Sequence, residues 1–268
     1  MSSLRIGCCG WNYKDWRGTF YPLDAASDQQ LRLYSQAFSS VEVDSTFYGP
    51  PAEATVLQWN ERTPDHFRFA LKIPQVITHE KKLVDASAEM DEFLATTSLL
   101  GMKRGPLLLQ FPRFSRADFD DGPEFLRSLD AFLGGIDRSV RIAVEIRNER
   151  WFDDAFLDLL RDHGAAAAVT DQIAAGSPPG GPERLMTSDF AYVRLLGNRR
   201  KIEALTTSWG QTVIDRTAEL RGWAGFLVEA MRALPDVGIW VYLNNHLSGH
   251  APAAARRLAA ILDAGGRG

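Results

Sequence analysis

Residues 106–146 read PLLLQFPRFSRADFDDGPEFLRSLDAFLGGIDRSVRIAVEI. Nearly continuous apolar runs lie near both ends of this stretch, at 107–109 and 142–144, and such runs are typical of parallel strands that are covered on both faces. Between them, segment 125–133 has apolar residues at helical spacing. A strand, a helix and a second strand in this order predict one unit of a parallel α/β sheet.

The same alternation of apolar runs and amphipathic stretches continues along the whole chain. It predicts an α/β fold of the (β/α)8 TIM-type barrel class, because each crossover helix must cover the sheet. The predicted strands cover residues 4–9, 40–44, 67–72, 106–111, 141–146, 165–170, 191–196 and 239–243. The predicted helices cover residues 29–38, 86–100, 125–133, 153–163, 217–234 and 252–262.

Length and composition favour a single domain. A chain of 268 residues is typical of one barrel, and no stretch has the composition of a linker, so we expect one domain over residues 1–268. Residues 171–190 read as a loop without a full helix, which predicts an irregular sixth unit. Residues 197–209 predict a long polar loop after the seventh strand.

Charge, cysteine content and hydropathy exclude several classes of protein. The net charge of −4 argues against a protein that binds duplex nucleic acid through a strong positive field. Cys8 and Cys9 are neighbours that would point to opposite faces of a strand, so we expect neither a disulfide framework nor a zinc site. The chain shows no signal-peptide pattern and no apolar run of membrane-spanning length, so we expect a cytoplasmic protein without a membrane partner.

Polar and aromatic side chains follow most of the predicted strands, where a barrel of this class places its site. Our candidates for catalysis are Glu42, Lys72, Glu145, Arg147 and Asp171. Our candidates for substrate binding are Trp11, Asp44, Tyr48, Gln110, Arg194, Gly197 and Asn244.

Charged residues at alternate positions share one face of a strand. Glu42 and Asp44 form such a pair, which either supplies an acid or base of raised pKa or caps a neighbouring helix. Glu145 and Arg147 form another, which is either a structural ion pair or a substrate contact. Lys72 suits an anion contact or, less well, a Schiff base; its structural alternative is a salt bridge to Glu42 or Glu145.

The loops after the seventh and eighth predicted strands suit an oxyanion. Residues 197–201 and 244–250 contain glycine, amide and cationic side chains at the place where barrel enzymes often hold phosphate, although a solvated basic loop is the alternative. No cofactor is evident, and a divalent metal is an open alternative, because suitable ligand types occur without a paired spacing such as H-E-x-x-H. Those ligand types are His79, His246, His250, Glu42, Asp44, Glu145 and Asp171.

Eight motifs resemble those of the YecE-like bacterial family, catalogued as domain of unknown function 72. They are GCCGW (7–11), FSSVEVDSTFY (38–48), FRFALKIPQVITH (67–79), GPLLLQFP (105–112), VEIRNERW (144–151), VTD (169–171), YVRLLG (192–197) and YLNN (242–245). The resemblance covers nearly the whole chain and implies a TIM-type barrel, but no established reaction. Members often carry a histidine before the glycine of the seventh motif, where this chain has Leu196.

Three functions remain open. The first is an enzyme, either a hydrolase or an isomerase, that acts on a phosphate-containing ligand, a small anionic or nucleotide-like molecule or a nucleic acid end. Glu145 or Glu42 would be its acid–base, and Lys72, Arg147 and Arg194 would stabilise negative charge. The second is a carbohydrate-active hydrolase or isomerase that uses Glu42 and Glu145 as its carboxylate pair. The third is a protein that binds RNA or single-stranded DNA without catalysis.

Overall fold

The computed structural model describes residues 3–172, 181–233 and 236–265. All eight predicted strands are present, and their observed ends differ from the predicted ends by at most two residues. The strands are β1 (Leu4–Cys8), β2 (Ser40–Val43), β3 (Arg68–Lys72), β4 (Arg104–Gln110), β5 (Ile142–Glu145), β6 (Ala166–Thr170), β7 (Phe190–Leu195) and β8 (Gly238–Leu243).

The strands form one eight-stranded sheet in the order β1-β8-β7-β6-β5-β4-β3-β2. Strands that follow one another in the chain are therefore neighbours, and β8 pairs with β1 in parallel. A parallel bridge also joins Cys9, directly after β1, to Glu42 of β2. This strand order confirms the predicted (β/α)8 TIM-type fold class.

The six predicted helices are present, and the structure adds others. The helices are α1 (Gln30–Ala37), α2 (Glu53–Glu61), α3 (Ser87–Ser98), α4 (Gly122–Gly134), α5 (Asp154–His163), α6 (Pro182–Leu185), α7 (Arg199–Glu203), α8 (Thr217–Ala233), α9 (Asn245–Ser248) and α10 (Ala251–Gly265).

Helix α7 corrects the prediction that residues 197–209 form only a loop. The side chain of Asn198 accepts a hydrogen bond from the backbone N–H of Lys201 at 3.0 Å and caps the first turn of α7. Residues 173–180 of the predicted irregular sixth unit lie outside the described residues, and the described remainder of that unit contains the four-residue helix α6.

The backbone divides into two compact units. The first unit comprises Met1–Glu42, Val169–Leu185 and Tyr192–Gly268, and the second comprises Val43–Ala168 and Met186–Ala191. Large aromatic side chains fill the core of each unit. Those of the first unit are Trp16, Tyr34, Tyr192 and Tyr242, and those of the second are Phe67, Phe69, Phe93, Phe111, Phe125, Phe156 and Phe190.

The two cysteines lie in the core of the first unit. Cys8 and Cys9 are both buried and both are free thiols. Burial raises the pKa of the Cys8 thiol to about 12, because a thiolate would lose its hydration there. In the part of the chain that the structure describes, none of the helices has the length and hydropathy needed to span a membrane.

Candidate functional site

Glu42 is fully buried in the first unit, where Arg194 and Tyr192 bind both oxygens of its carboxylate. Arg194 donates from Nε to Oε2 at 2.8 Å and from Nη2 to Oε1 at 2.7 Å. The Tyr192 hydroxyl donates to Oε2 at 2.7 Å. Such a bidentate ion pair is strong in the protein interior. It favours a structural role for Glu42 over acid–base chemistry.

Tyrosine side chains extend this polar core. Burial raises the pKa of Tyr192 well above its usual range, and the adjacent charge of Glu42 raises it further, so the phenol stays a hydrogen-bond donor. The Tyr242 ring lies 5.4 Å from the Tyr192 ring, and its hydroxyl shares a 2.7 Å hydrogen bond with Oγ of Ser40. A network of this kind is rigid because each buried polar group has a partner.

Asp171 holds the loop that follows β7. Its Oδ1 accepts the backbone N–H of Leu196 at 2.8 Å, and its Oδ2 accepts that of Gly197 at 2.7 Å. Gly197 has a φ of +69°, and a Cβ at this position would lie 2.3 Å from the carbonyl oxygen of His246. The loop therefore requires glycine here, and Asp171 fixes its course.

The two other candidates of the first unit also make local backbone contacts. The carbonyl oxygen of Trp11 accepts a hydrogen bond from the Tyr21 hydroxyl at 2.7 Å. The side chain of Asn244 accepts one from the backbone N–H of His246 at 3.0 Å and caps α9. Both residues thus shape the loops at the ends of their strands.

A cavity of about 760 Å³ opens in the first unit beside these loops. Its walls include Asp171, Gly197, Arg199, Arg200, Arg216 and Trp223. Arg216 is held in place, because its Nε donates to the carbonyl oxygen of Leu247 at 3.1 Å and its Nη1 to Glu219 at 2.8 Å. The cavity thus combines fixed and exposed cations with an apolar wall.

Glu145 of the second unit pairs with Arg147. The Arg147 Nη2 lies 2.5 Å from Oε1 of Glu145, which is fully buried, while the Arg147 side chain is partly exposed. Gln110 lies opposite Glu145 in the β4–β5 register and donates to the carbonyl oxygen of Phe111 at 2.5 Å. The ion pair considered from the sequence is present, and its role toward a substrate stays a prediction.

Lys72 lies at the end of β3 in the second unit, with only 8% of its surface exposed. Its Nζ is 3.4 Å from Oδ1 of Asp44 and 3.9 Å from the centre of the Phe47 ring. Asp44 is its ion-pair partner in the described residues, in place of the Glu42 or Glu145 that the sequence suggested. The ring of Tyr48, a residue that is 80% exposed, packs edge-on against Phe47 at 5.4 Å.

His79 lies in the same unit as Lys72, and its residue type suggested a metal ligand from the sequence. It lies in a π-helical turn, Val76–Glu80, and its ring is 4.9 Å from that of Phe47. The pKa of His79 is lowered to about 4, mainly by burial and to a smaller extent by the charge of Lys72. The other feature of the sequence that draws attention to His79 is its position at the end of the motif 67–79.

The structure places six of the candidate residues in the first unit and six in the second. The first group is Trp11, Glu42, Asp171, Arg194, Gly197 and Asn244, to which the cavity adds Arg200. The second group is Asp44, Tyr48, Lys72, Gln110, Glu145 and Arg147. Within residues 3–172, 181–233 and 236–265, no three His, Cys, Asp or Glu side chains are placed to hold a metal ion.

Comparison with known proteins agrees with this fold. A family model described as "Protein of unknown function DUF72" matches residues 5–268. The UPF0759 protein YunF of Bacillus subtilis (strain 168) is 30% identical, over 97% of this chain and 95% of its own length. The UPF0759 protein YecE of Escherichia coli O157:H7 is also 30% identical, but the match covers 66% of this chain and 60% of that relative.

A crystal structure of a DUF72 family protein from Thermotoga maritima superposes with a TM-score of 0.77 at 26% sequence identity. The superposition covers 97% of this chain and 99% of the other. A second DUF72 structure, from Enterococcus faecalis, gives a TM-score of 0.71 at 18% identity and supports the fold alone. The chain belongs to the DUF72 family.

Proposed function

We propose that the protein is an enzyme that acts on a phosphate-containing ligand, such as a nucleotide, and binds its phosphate in the cavity of the first unit. The observation that carries this proposal is the set of three arginines, Arg199, Arg200 and Arg216, in the wall of that cavity. The cavity lies beside the loop after β7, and barrel enzymes often hold phosphate near the loops after strands seven and eight.

The three arginines differ in how far other residues already neutralise them. Arg199 pairs with Glu203 at 2.8 Å, and Arg216 pairs with Glu219 at 2.8 Å. Arg200 forms no ion pair among the residues that the structure describes. Its guanidinium therefore has the most unused capacity for a phosphate oxygen.

Part of the cavity wall is apolar. Leu195, Leu220, Trp223 and Leu247 contribute to it. An apolar wall lowers the local dielectric and strengthens the attraction between a guanidinium and an anion. It also gives the uncharged part of a nucleotide or another organic phosphate a surface to cover.

Of the two carboxylates that the sequence suggests as acid–base, Glu145 of the second unit remains the candidate, with Arg147 beside it. Glu145 is buried beside a cation, which is an environment that an acid–base residue can use. Glu42 is less suited to this role because Arg194 and Tyr192 already bind both of its oxygens. We also propose a cytoplasmic location, with which two free cysteines agree.

The phosphate site can be tested with inorganic pyrophosphate and AMP in isothermal titration calorimetry. Because a charged hydrogen bond contributes roughly 1.5–3 kcal/mol, we expect Arg200→Ala to weaken binding by about tenfold or more. Arg127→Ala removes an exposed arginine from α4 of the second unit and is the matched control. Equal affinity in all three proteins, or equal losses in both variants, would refute a specific site.

The catalytic assignment needs a separate readout. Nucleotides and phosphate monoesters can be screened for release of inorganic phosphate or for isomerisation by NMR. Glu145→Gln is expected to lower the turnover of any accepted substrate at least a hundredfold, as for loss of an acid–base group. Unchanged turnover in Glu145→Gln would remove Glu145 from the mechanism and would leave the binding site intact.

A further inference from the structure

The amine of Lys72 has hydrogen-bonding capacity that the described residues leave unused. Its separation of 3.4 Å from Asp44 exceeds the 2.7–2.9 Å that is usual for a charge-assisted hydrogen bond. Its other close contact, with the Phe47 ring, is a cation–π contact that uses no N–H donor in a conventional hydrogen bond. An ammonium group has three donors. The buried amine of Lys72 can therefore donate a hydrogen bond to an oxygen atom of a bound ligand.

His79 contacts the same Phe47 ring as this amine and is oriented by its neighbours. Its Nδ1 shares a 2.7 Å hydrogen bond with the Oγ1 of Thr78, which is fully buried. The edge-on contact with Phe47 fixes the plane of the ring. With Nδ1 engaged, Nε2 is the nitrogen of His79 that can meet a ligand.

The charges near His79 explain its protonation state. Burial is the larger cause of its lowered pKa, and the positive charge of Lys72 is the second cause. The cations in the following segment are compensated, because Lys81 pairs with Glu89 at 2.5 Å and Lys82 pairs with Asp118 at 2.5 Å. An anion beside Lys72 would offset the repulsion from that amine and raise the proton affinity of His79.

We propose that Lys72 and His79 form a second ligand site, in the second unit, for an oxyanionic group that carries or adjoins a hydroxyl. Lys72 donates to the oxyanion. His79 accepts the hydroxyl proton on Nε2, and the electron pair of the broken O–H bond stays on the ligand oxygen. Because the anion itself raises the proton affinity of His79, the histidine becomes an effective base only when the site is occupied.

This site is independent of the arginine-lined cavity in the first unit. Its parts come from β3, from the Ser45–Tyr48 turn and from the Val76–Glu80 turn, all of which belong to the second unit. His79 is half-buried and the side chain of Asp44 is 45% exposed, so the edge of the site lies at the surface of the second unit. A negative result for the phosphate site would therefore not affect the Lys72–His79 site, and a negative result for the Lys72–His79 site would not affect the phosphate site.

The test follows the imidazole resonances of the full chain by NMR, with sodium sulfate as the probe because its charge stays constant between pH 3 and 8. The His79 signal is identified by its loss in His79→Gln. We expect His79 to titrate near pH 4 in chloride. Saturating sulfate at matched ionic strength should raise its pKa by about one unit or more, by offsetting the Lys72 charge. Sodium acetate in place of sulfate shows whether the site also takes a carboxylate.

Three variants decide the outcome. Lys72→Met should abolish the saturable response, Lys72→Arg should retain it, and Lys81→Met is the control for loss of a lysine in the same segment. Arg200→Ala should leave the response of His79 unchanged, which separates this site from the cavity. A His79 pKa near 6.5 without sulfate would overturn the proposal. The proposal would also be overturned if the pKa of His79 rose linearly with sulfate, without saturation, in both the wild type and Lys72→Met. That result would indicate an adventitious ion only.

Discussion

The partners of a single side chain limit the chemistry that it can perform, and Glu42 is the clearest case. A free carboxylate at the end of a barrel strand is a good candidate for acid–base catalysis. Here Arg194 and Tyr192 occupy both oxygens, so protonation of Glu42 would break a buried ion pair. The sequence identifies Glu42 and Arg194 as charged strand residues, but it does not reveal that residues 152 positions apart are partners.

We therefore predict that Glu42→Gln destabilises the protein by about 3–5 kcal/mol, the usual effect of leaving one partner of a buried ion pair without its counter-charge. The matched control is Glu203→Gln, which breaks the exposed pair with Arg199 and should lower stability by less than about 1 kcal/mol. Urea unfolding monitored by circular dichroism measures both values. Equal, small losses would show that the Glu42 pair contributes little to stability.

At the scale of elements, local pattern predicts the strands better than the short helices. Strands β4 and β5 contain the uninterrupted apolar runs 107–109 and 142–144, which are typical of strands covered on both faces. Helix α2 was missed because it buries only Val56 and Trp59, so its apolar stripe is too sparse to recognise. Helix α7 was missed because five residues between polar loops carry almost no periodic signal.

The loop between β7 and α7 gives a prediction of its own. Gly197→Ala should destabilise the protein by more than about 1 kcal/mol, because the new methyl group meets the backbone of His246 at a positive φ. Gly225→Ala is the control, since this helix position of α8 has open space around it and should gain up to about 1 kcal/mol from helix propensity. We expect the two substitutions to change the midpoint of thermal unfolding in opposite directions. If Gly197→Ala leaves the stability of the protein unchanged, the loop must be able to move away from α9.

At the scale of the whole molecule, two histidines with lowered pKa, His79 and His250, should make the fold sensitive to acid. Burial lowers the pKa of His79 and of His250 to about 4, with a smaller contribution from Lys72 and Arg256 respectively. An unfolded histidine titrates near 6.5, so between pH 6.5 and 4 the unfolded chain binds more protons than the folded one. Stability is therefore retained above this window and falls as the pH decreases through it.

We expect each of these histidines to contribute a slope of up to about 1.4 kcal/mol per pH unit within the window. The double variant His79→Gln/His250→Gln should flatten the decline between pH 6.5 and 4.5, and the exposed His66→Gln should leave it unchanged. Urea unfolding at half-unit pH intervals measures the slopes. A wild-type stability that stays constant over this range would contradict the expectation.

The alternation of strand and helix was enough to predict the fold class, because a parallel sheet needs a covering helix at each crossover. The candidate residues were harder to predict, because their roles depend on contacts between distant positions. Asp171, for example, was named as catalytic, and it binds the backbone of Leu196 and Gly197. The expectation of one domain stays a prediction, and each unit has its own aromatic core.

The two adjacent cysteines of the first unit have a practical consequence for experiments on this protein. Both thiols are shielded from solvent, and Cys8 resists ionisation, so an alkylating reagent has little access to a reactive thiolate while the chain is folded. The thiols can therefore be labelled only after β1 has separated from β8. The rate of thiol modification under native conditions therefore reports how often the sheet opens at its first strand, without any engineered probe.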